Sequence, residues 1–392
     1  MSFGKLTRRL SALTGIAALA AVAGTAPAGA DPAPDYWPLV AVGDETAHNR
    51  LQDVVAIGPR NAWAFGRISS DNGDEPLAVR WNGRSWTRVA LPTGAGQDIA
   101  FADASGPRNV WAFSGGYRGV DPVYALRWNG RNWTVAHRWP GNVLLDDAEV
   151  IGPRDVWAFG SYTNLLGNQA WHYDGRRWTE VPTPVGGLEH AHALRADYIL
   201  AVGHRPGSAG KDLLARWDGR TWTEVDVDVP DLPRETDHYT VFDGVHAVSE
   251  RDVWLYGREV RRDGDRNIDE FLLLHYDGST WQRIGGFLPW MRLTYAYALT
   301  PDGQGGIWLV PNGSDRPELL HYRDGQWTET IAEVPIGPDG FVLDIANVPN
   351  SRIIWAVGST PAGDFGTWNW AVWRHEESTP HLRQPRPPRP RK

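Results

Sequence analysis

The chain has no cysteine, 2 methionines and, beyond residue 30, no apolar run long enough to cross a bilayer. Without a thiol there can be no disulfide, no thiolate metal site, no cysteine nucleophile and no lipid-modified N-terminal cysteine. The missing second span points to a soluble protein with no stable membrane insertion. Helical periodicity is absent outside the first 30 residues, so strands must carry the fold. Positive charge is also short: 39 Lys and Arg stand against 47 Asp and Glu, a net charge of −8, which makes nucleic acid a poor partner. Lysine occurs at Lys5, Lys211 and Lys392 alone, and with abundant Ala, Gly and Pro this points to a high-GC bacterial genome. No Gly-x-Ser-x-Gly elbow, phosphate loop or recognisable acid and base pair occurs.

What the chain does have is a tryptophan-and-turn unit that returns about every 45 residues, a spacing typical of propeller blades. Trp81-Asn82-Gly83-Arg84-Ser85-Trp86 is echoed by Trp128 to Trp133, Tyr173 to Trp178, Trp217 to Trp222, Tyr276 to Trp281 and Tyr322 to Trp327. Asn-Gly or Asp-Gly between apolar segments predicts a two-residue hairpin loop, in which both central residues need positive φ. An earlier strand of the type Asp155-Val156-Trp157-Ala158-Phe159-Gly160 precedes each turn and adds a seventh copy at Ile354 to Gly358; Leu200 replaces the tryptophan in the fourth. Four short antiparallel strands per unit predict an all-β, seven-bladed propeller. The seventh unit lacks its outer strand, which the segment around Trp37 supplies, closing the ring and leaving no long free edge.

Residues 1 to 30 form a secretory leader: Lys5, Arg8 and Arg9, an apolar run from Leu13 to Ala23, and Ala28-Gly29-Ala30 before Asp31. Arg8-Arg9 leaves twin-arginine and ordinary Sec export both open. The expected mature protein is therefore secreted, with 36 basic against 47 acidic residues, a net charge of −11. Residues 31 to 378 are the propeller, and residues 379 to 392 a basic Pro/Arg-rich tail of disordered, polyproline-like character. The tail reads either as a solvated extension or as a contact to anionic cell-wall polymer.

Candidate ligand residues gather where each innermost strand begins. Eleven residues before the second-strand tryptophan, the column reads Gln52, Ala100, Asp146, Glu189, Asp243, Tyr297 and Asp344. Eight before, it reads Val55, Asp103, Glu149, His192, His246, Thr300 and Asn347. Strand alternation puts these polar groups on one side, as a ligand mouth or as hydrogen bonds between blades. Trp139, Trp290, Trp368 and Tyr239 lie in or beside loops on the same face, where an exposed ring with neighbouring carboxylates would suit a sugar. Such rings can equally pack loops onto the barrel. His190-x-His192 sets two imidazoles on one strand face without identifiable further metal ligands. Asp263-x-Asp265-x-Asn267-x-Asp269 has the oxygen spacing that opens a calcium loop, but Ile268 stands where an EF-hand has Gly. No cofactor is expected otherwise.

With the Trp-Asp-Gly-Arg-Thr-Trp units in view, residues 36 to 375 resemble secreted bacterial propellers of the broad kelch and Asp-box type. Kelch repeats carry a Gly-Gly doublet where this chain has one Gly, and Asp-boxes have one more residue between Asp and Gly than Asp174-Gly175-Arg176-Arg177-Trp178. No catalytic residue carries over. The resemblance implies a binding module for glycan or protein, with extracellular or envelope glycan the first reading. A carbohydrate-active hydrolase or lyase using carboxylates such as Asp147 and Asp243 is the second, and a protein-binding scaffold the third.

Overall fold

The computed structural model describes residues 37–376, apart from 44–46, 72, 116–120, 163–167, 184, 206–211, 233–237, 265, 287–292, 313–315 and 363–366. The leader and the basic tail lie outside the described residues. Seven four-stranded antiparallel sheets make up the fold. A first strand, β1 (Leu39–Val42), precedes the first blade, which comprises β2 (His48–Gly58), β3 (Asn61–Ser70), β4 (Gly73–Trp81) and β5 (Trp86–Arg88). The second holds β6 (Phe101–Gly106), β7 (Asn109–Phe113), β8 (Tyr124–Trp128) and β9 (Trp133–Arg138), and the third β10 (Val143–Gly152), β11 (Asp155–Tyr162), β12 (Asn168–Tyr173) and β13 (Trp178–Val181). The fourth is β14 (Gly187–Arg195), β15 (Tyr198–His204), β16 (Leu213–Trp217) and β17 (Trp222–Val225); the fifth is β18 (His238–Ser249), β19 (Asp252–Asp263), β20 (Arg266–Tyr276) and β21 (Trp281–Arg283). Then come β22 (Ala296–Pro301), β23 (Ile307–Pro311), β24 (Glu318–Arg323) and β25 (Gln326–Ile331), and last β26 (Phe341–Asn347), β27 (Ile353–Pro361) and β28 (Trp368–Glu376).

Strand order β1-β28-β27-β26 shows how the ring closes: the N-terminal strand is the outer strand of the seventh blade. Trp37 anchors it, fully buried, with its ring 5.1 Å from both Trp308 and His375. The Trp37 carbonyl accepts from the Glu333 N–H at 3.0 Å, so the closing segment also ties to the sixth blade.

One rule repeats between blades. A second-strand indole packs on the aromatic pair flanking the next blade's outer turn: Trp63 on Trp128 and Trp133, Trp111 on Tyr173 and Trp178, Trp157 on Trp217 and Trp222, Trp355 on Trp81 and Trp86, while Trp308 meets Trp37 and His375. Edge-to-face indoles of this kind add about 0.5–1.5 kcal/mol each beyond their burial. The third strand supplies the other wall. Opposite the indoles in the ladder stand Arg80, Arg127, His172, His275, His321 and Arg374. The guanidiniums lie 5.2 to 6.0 Å over their rings, and the imidazoles stack at 4.2 to 4.6 Å.

The turn chemistry differs from expectation in five blades. Trp81 pairs directly with Trp86, so four residues form the loop, and it is the Asn82 side chain that accepts from the Arg84 and Ser85 N–H groups. Asn129, Asp174, Asp218 and Asp277 do the same. Positive φ is needed at the glycine alone there; Asp324 and Gly325 of the sixth blade form the expected two-residue turn, with φ of 52° and 78°. The glycine closing the second strand has a separate cause. A Cβ on Gly66, Gly160 or Gly358 would lie about 2 Å from the carbonyl oxygen of the bulged first strand.

Candidate functional site

The bulge in the innermost strand decides which residues reach the rim. Gln52, Asp146, Glu189, Asp243 and Tyr297 are the bulged residues, skipped by the ladder. Asp344 is not one of them. In the seventh blade Leu343 is bulged and Asp344 pairs with Val357. The reason is an extra residue in the β26–β27 turn: Trp355 faces Ala346 there, whereas Trp63 faces Val55. Counting back from the tryptophan therefore stops one residue short, and Ala346, not Asn347, completes the second column.

In true register, one layer inside the rim carries Asp53, Asp147, His190 and Asp344, and the next Asp103, Glu149, His192, His246 and Thr300. Most of these groups hold the following blade. Asp344 accepts from the Val54 N–H at 2.8 Å, Asp103 from Val150 at 2.5 Å, Asp147 from Ala191 at 2.8 Å and Glu149 from Ala193 at 2.9 Å. The Ala247 N–H reaches His192 at 3.4 Å, and the Asn347 N–H donates to Thr300 at 3.1 Å. Carboxylates thus satisfy backbone donors of the next innermost strand at the seventh-to-first junction, the second-to-third and, twice, the third-to-fourth.

So many acids around one axis cannot all ionise freely. Burial pushes Asp344 up to about 7 and Asp103 up to about 6, with the Asp147 charge adding to both. Burial and Asp344 carry Asp53 well above the usual carboxylate range, and burial and Asp103 do the same to Glu149. His192 is driven down to about 4 by burial, and His246, its ring centroid 4.0 Å away, falls too. Burial opposes charge on His190 as well, but the neighbouring Asp147 carboxylate, 3.8 Å away, outweighs it and raises the imidazole. The phenol of Tyr256 fills the space that Gly244 leaves in this lining, where a Cβ would come within 2.3 Å of it.

Two of the carboxylates considered for catalysis are thus engaged. Asp147 holds Ala191, and Asp243 is gripped by Arg258 through Nε and Nη2 at 3.1 and 3.2 Å. The rim keeps Asp146, exposed, Glu189, 3.5 Å from His204, and Tyr297, 47% exposed. The His190-x-His192 pair lies on the axial face. No group of three metal-ligating side chains occurs among the described residues.

The loop-rich face sorts its aromatics. Trp139 is a packing residue, 3% exposed and 5.0 Å from Trp178, so the reading of it as an exposed sugar platform is corrected: the ring packs among Phe113, Trp171 and Trp178. Trp290 lies outside the described residues. Tyr239 sits on β18 and faces Asn267 at 3.5 Å. Asp263 and Asp265 lie outside what is described of side chains, while Asn267 and Asp269 belong to the extended β20 strand rather than to a coiled loop. The Asp269 carboxylate is 3.3 Å from Arg258.

Trp368 is different. Half-buried, it packs beside Phe341 at 4.9 Å as one wall of a cavity of about 370 Å³ between the seventh and first blades. Arg50, Arg67, His48, Asn49, Ser69 and Ser359 complete the lining. Asn49 is spoken for, since its carboxamide accepts from the Trp370 N–H and donates to Asn369 and Ala47. Arg67 pairs with Asp74 at 3.2 Å. Arg50, its ladder partner, has a buried Nε without an acceptor among the described residues, and burial followed by the Arg67 charge holds its guanidinium below the usual range. A second cavity of about 720 Å³, between the first and second blades, shares Arg67 and adds Asp74, Gln97, Asp98, Asp121 and Tyr124. Sequence reasoning missed the two arginines, because they occupy ordinary alternating strand positions.

These features define a seven-bladed β-propeller. Among solved structures, YCF48 bound to a D1 peptide matches with a TM-score of 0.53 at 14% identity, over 89% of this chain and 99% of that one. The WD40 repeats of RRP9 match with a TM-score of 0.51 at 11% identity, over 86% and 97%. A polysaccharide lyase, an ulvan lyase bound to -[GlcA(1-4)Rha3S]-, matches with a TM-score of 0.51 at 10% identity, over 81% and 93%. At these identities the likeness is one of fold. No family model matches the chain, and no curated protein does.

Proposed function

We propose that the protein is an exported binding module that recognises an extracellular or cell-envelope glycan through its loop-rich face. The observation that carries this reading is the cavity between the seventh and first blades. There the Phe341 and Trp368 rings give an apolar wall for sugar C–H faces, and the Arg50 and Arg67 guanidiniums supply donors for hydroxyl or anionic oxygens. Fold alone does not choose among ligands, so the assignment rests on this site.

A glycan array followed by sugar-release assays tests it. Binding without turnover is expected, and Trp368→Ala should weaken it about 30-fold, as loss of a central aromatic anchor does. The melting temperature should hold, because the ring is not part of the inter-blade indole set. Turnover abolished by Asp147→Asn or Asp243→Asn would establish the hydrolase or lyase reading instead, and silence with sugars alongside capture of a protein would establish a scaffold. Export is read from cleavage after residue 30, and wall contact through the tail from deletion of residues 379 to 392.

A further inference from the structure

Six of the seven blade junctions are filled by an indole from the second strand; the fourth has Leu200. Its ladder partner Arg216 is the counterpart of Arg80 and Arg127, but with no indole to cover, its guanidinium lies 4.5 Å over the Tyr198 ring. Arg216 Nε is buried and has no hydrogen-bond partner among the described residues. Across the junction the fifth blade still presents the usual aromatic pair, Tyr276 and Trp281, with ring centroids 5.3 Å apart. Where Trp63 would meet Trp128 and Trp133 at 5.1 Å, these two rings face a cleft of about 550 Å³. Tyr198, Leu200, Leu214 and Arg216 form its other wall.

We infer that this cleft is a docking site for a tryptophan side chain of a partner polypeptide with basic neighbours. The occupant follows from the sister junctions. The same wall of guanidinium and paired aromatics accepts an indole of this chain at the first, second and seventh junctions, where Arg80, Arg127 and Arg374 lie over Trp63, Trp111 and Trp355, so it is complementary to one arriving from outside. Charge selects the flanking residues: Asp226 and Asp228, both exposed, line the cleft, and Glu250 joins them while holding Arg195 at 2.6 Å. Aromatic anchors in a pocket with complementary charge at the rim are how most protein interfaces concentrate affinity. The cleft lies between the fourth and fifth blades and shares no residue with the cavity proposed for glycan, so the two assignments stand or fall separately.

The test uses a capped Lys-Trp-Lys peptide carrying 5-fluorotryptophan, whose ¹⁹F resonance is followed by NMR with the full-length protein, so that the protein's own 22 tryptophans stay silent. Saturable broadening is expected, at least about 10-fold weaker for Glu-Trp-Glu and absent for Lys-Leu-Lys observed by competition. Leu200→Trp should fill the junction, raise the melting temperature and abolish binding. Should that variant fail to fold, Trp281→Ala removes one wall and should weaken binding about 10-fold or more, while Asp226→Asn with Asp228→Asn should erase the preference for lysine. The proposal is overturned if no peptide binds, if binding survives both Leu200→Trp and Trp281→Ala, or if the glutamate-flanked peptide binds as well as the lysine-flanked one.

Discussion

Replacing Asp344 by Asn should make the protein more stable, and by an amount set by pH. The carboxylate accepts from Val54 at 2.8 Å across the junction between the seventh and first blades, and burial lifts its pKa from 3.8 to about 7. A folded-state value above the unfolded one means that the folded protein holds a proton the unfolded chain releases. The benefit is complete below pH 3.8 and is lost as pH rises through about 7. By linkage the ionised group costs at most about 4 kcal/mol at pH 8. Its partial access to water reduces that to about 2 kcal/mol. Asparagine keeps a carbonyl oxygen for Val54 and carries no charge, so Asp344→Asn should gain about 2 kcal/mol at pH 8, or about 3 °C in melting temperature for a domain of this size.

At pH 4 the same substitution should change little, because Asp344 is already neutral. Asp344→Ala separates charge from acceptor: it leaves the Val54 N–H unpaired and should cost about 1–3 kcal/mol at pH 4. The assay is a set of urea and thermal melts at pH 4, 6 and 8 for the three proteins. Equal melting of Asp344→Asn and the parent at pH 8, or an equal gain at pH 4, would refute the reasoning that the axial acids are held against ionisation.

For the unmodified protein, the raised Asp53, Asp103, Glu149 and Asp344 predict stability that falls from pH 5 to pH 8. Asp302 sets the opposite limit: burial works against its charge, but His321, the Gln304 and Gly306 N–H groups and Arg323 hold it down to about 2, so its contribution is lost as pH falls from 3.8 towards 2. Melts across pH 2 to 9 should therefore peak near pH 4 to 5. Trp37→Ala should cost about 3–5 kcal/mol, about 4–7 °C, and expose a sheet edge, read as aggregation by light scattering. Trp139→Ala should cost a similar amount while sparing sugar affinity, the reverse of Trp368→Ala. Calcium should leave the melting temperature unchanged, because Arg258 already engages Asp269.

The ring, its seven units and its closure by Trp37 were legible because each depends on a periodic residue choice: indole, turn residue and closing glycine recur at fixed offsets. Turn type was not, since Asn82-Gly83 serves a four-residue capped loop as readily as a two-residue one. The axial columns were half legible. Alternation placed polar residues on one face, but a single inserted residue before Ile353 moved Asp344 out of its assumed place, and nothing local in the sequence marks that insertion. The pairs Asp155 with His172 and Asp252 with His275, at 2.8 and 2.9 Å, look like catalytic dyads on distance alone. Their repetition beside stacked indoles explains them as positioning of the imidazole against tryptophan.

Repetition thus separates structural from functional residues in this fold. Closing a ring demands the same solution at every junction, so a polar group that recurs, such as the axial carboxylates bonded to the next blade's N–H groups, already has its energetic reason. Function needs only one site, and a site is a place where the pattern fails. Leu200 breaks the indole column, and Arg50 brings a guanidinium whose Nε has no acceptor among the described residues to the cavity beside Trp368. Both breaks coincide with cavities, one on each of two different junctions, whereas the most conspicuous cluster of titratable groups lies on the axis and coincides with inter-blade hydrogen bonds. On that ground substitutions along the axis should move stability and its pH dependence, and substitutions at the two broken junctions should move binding.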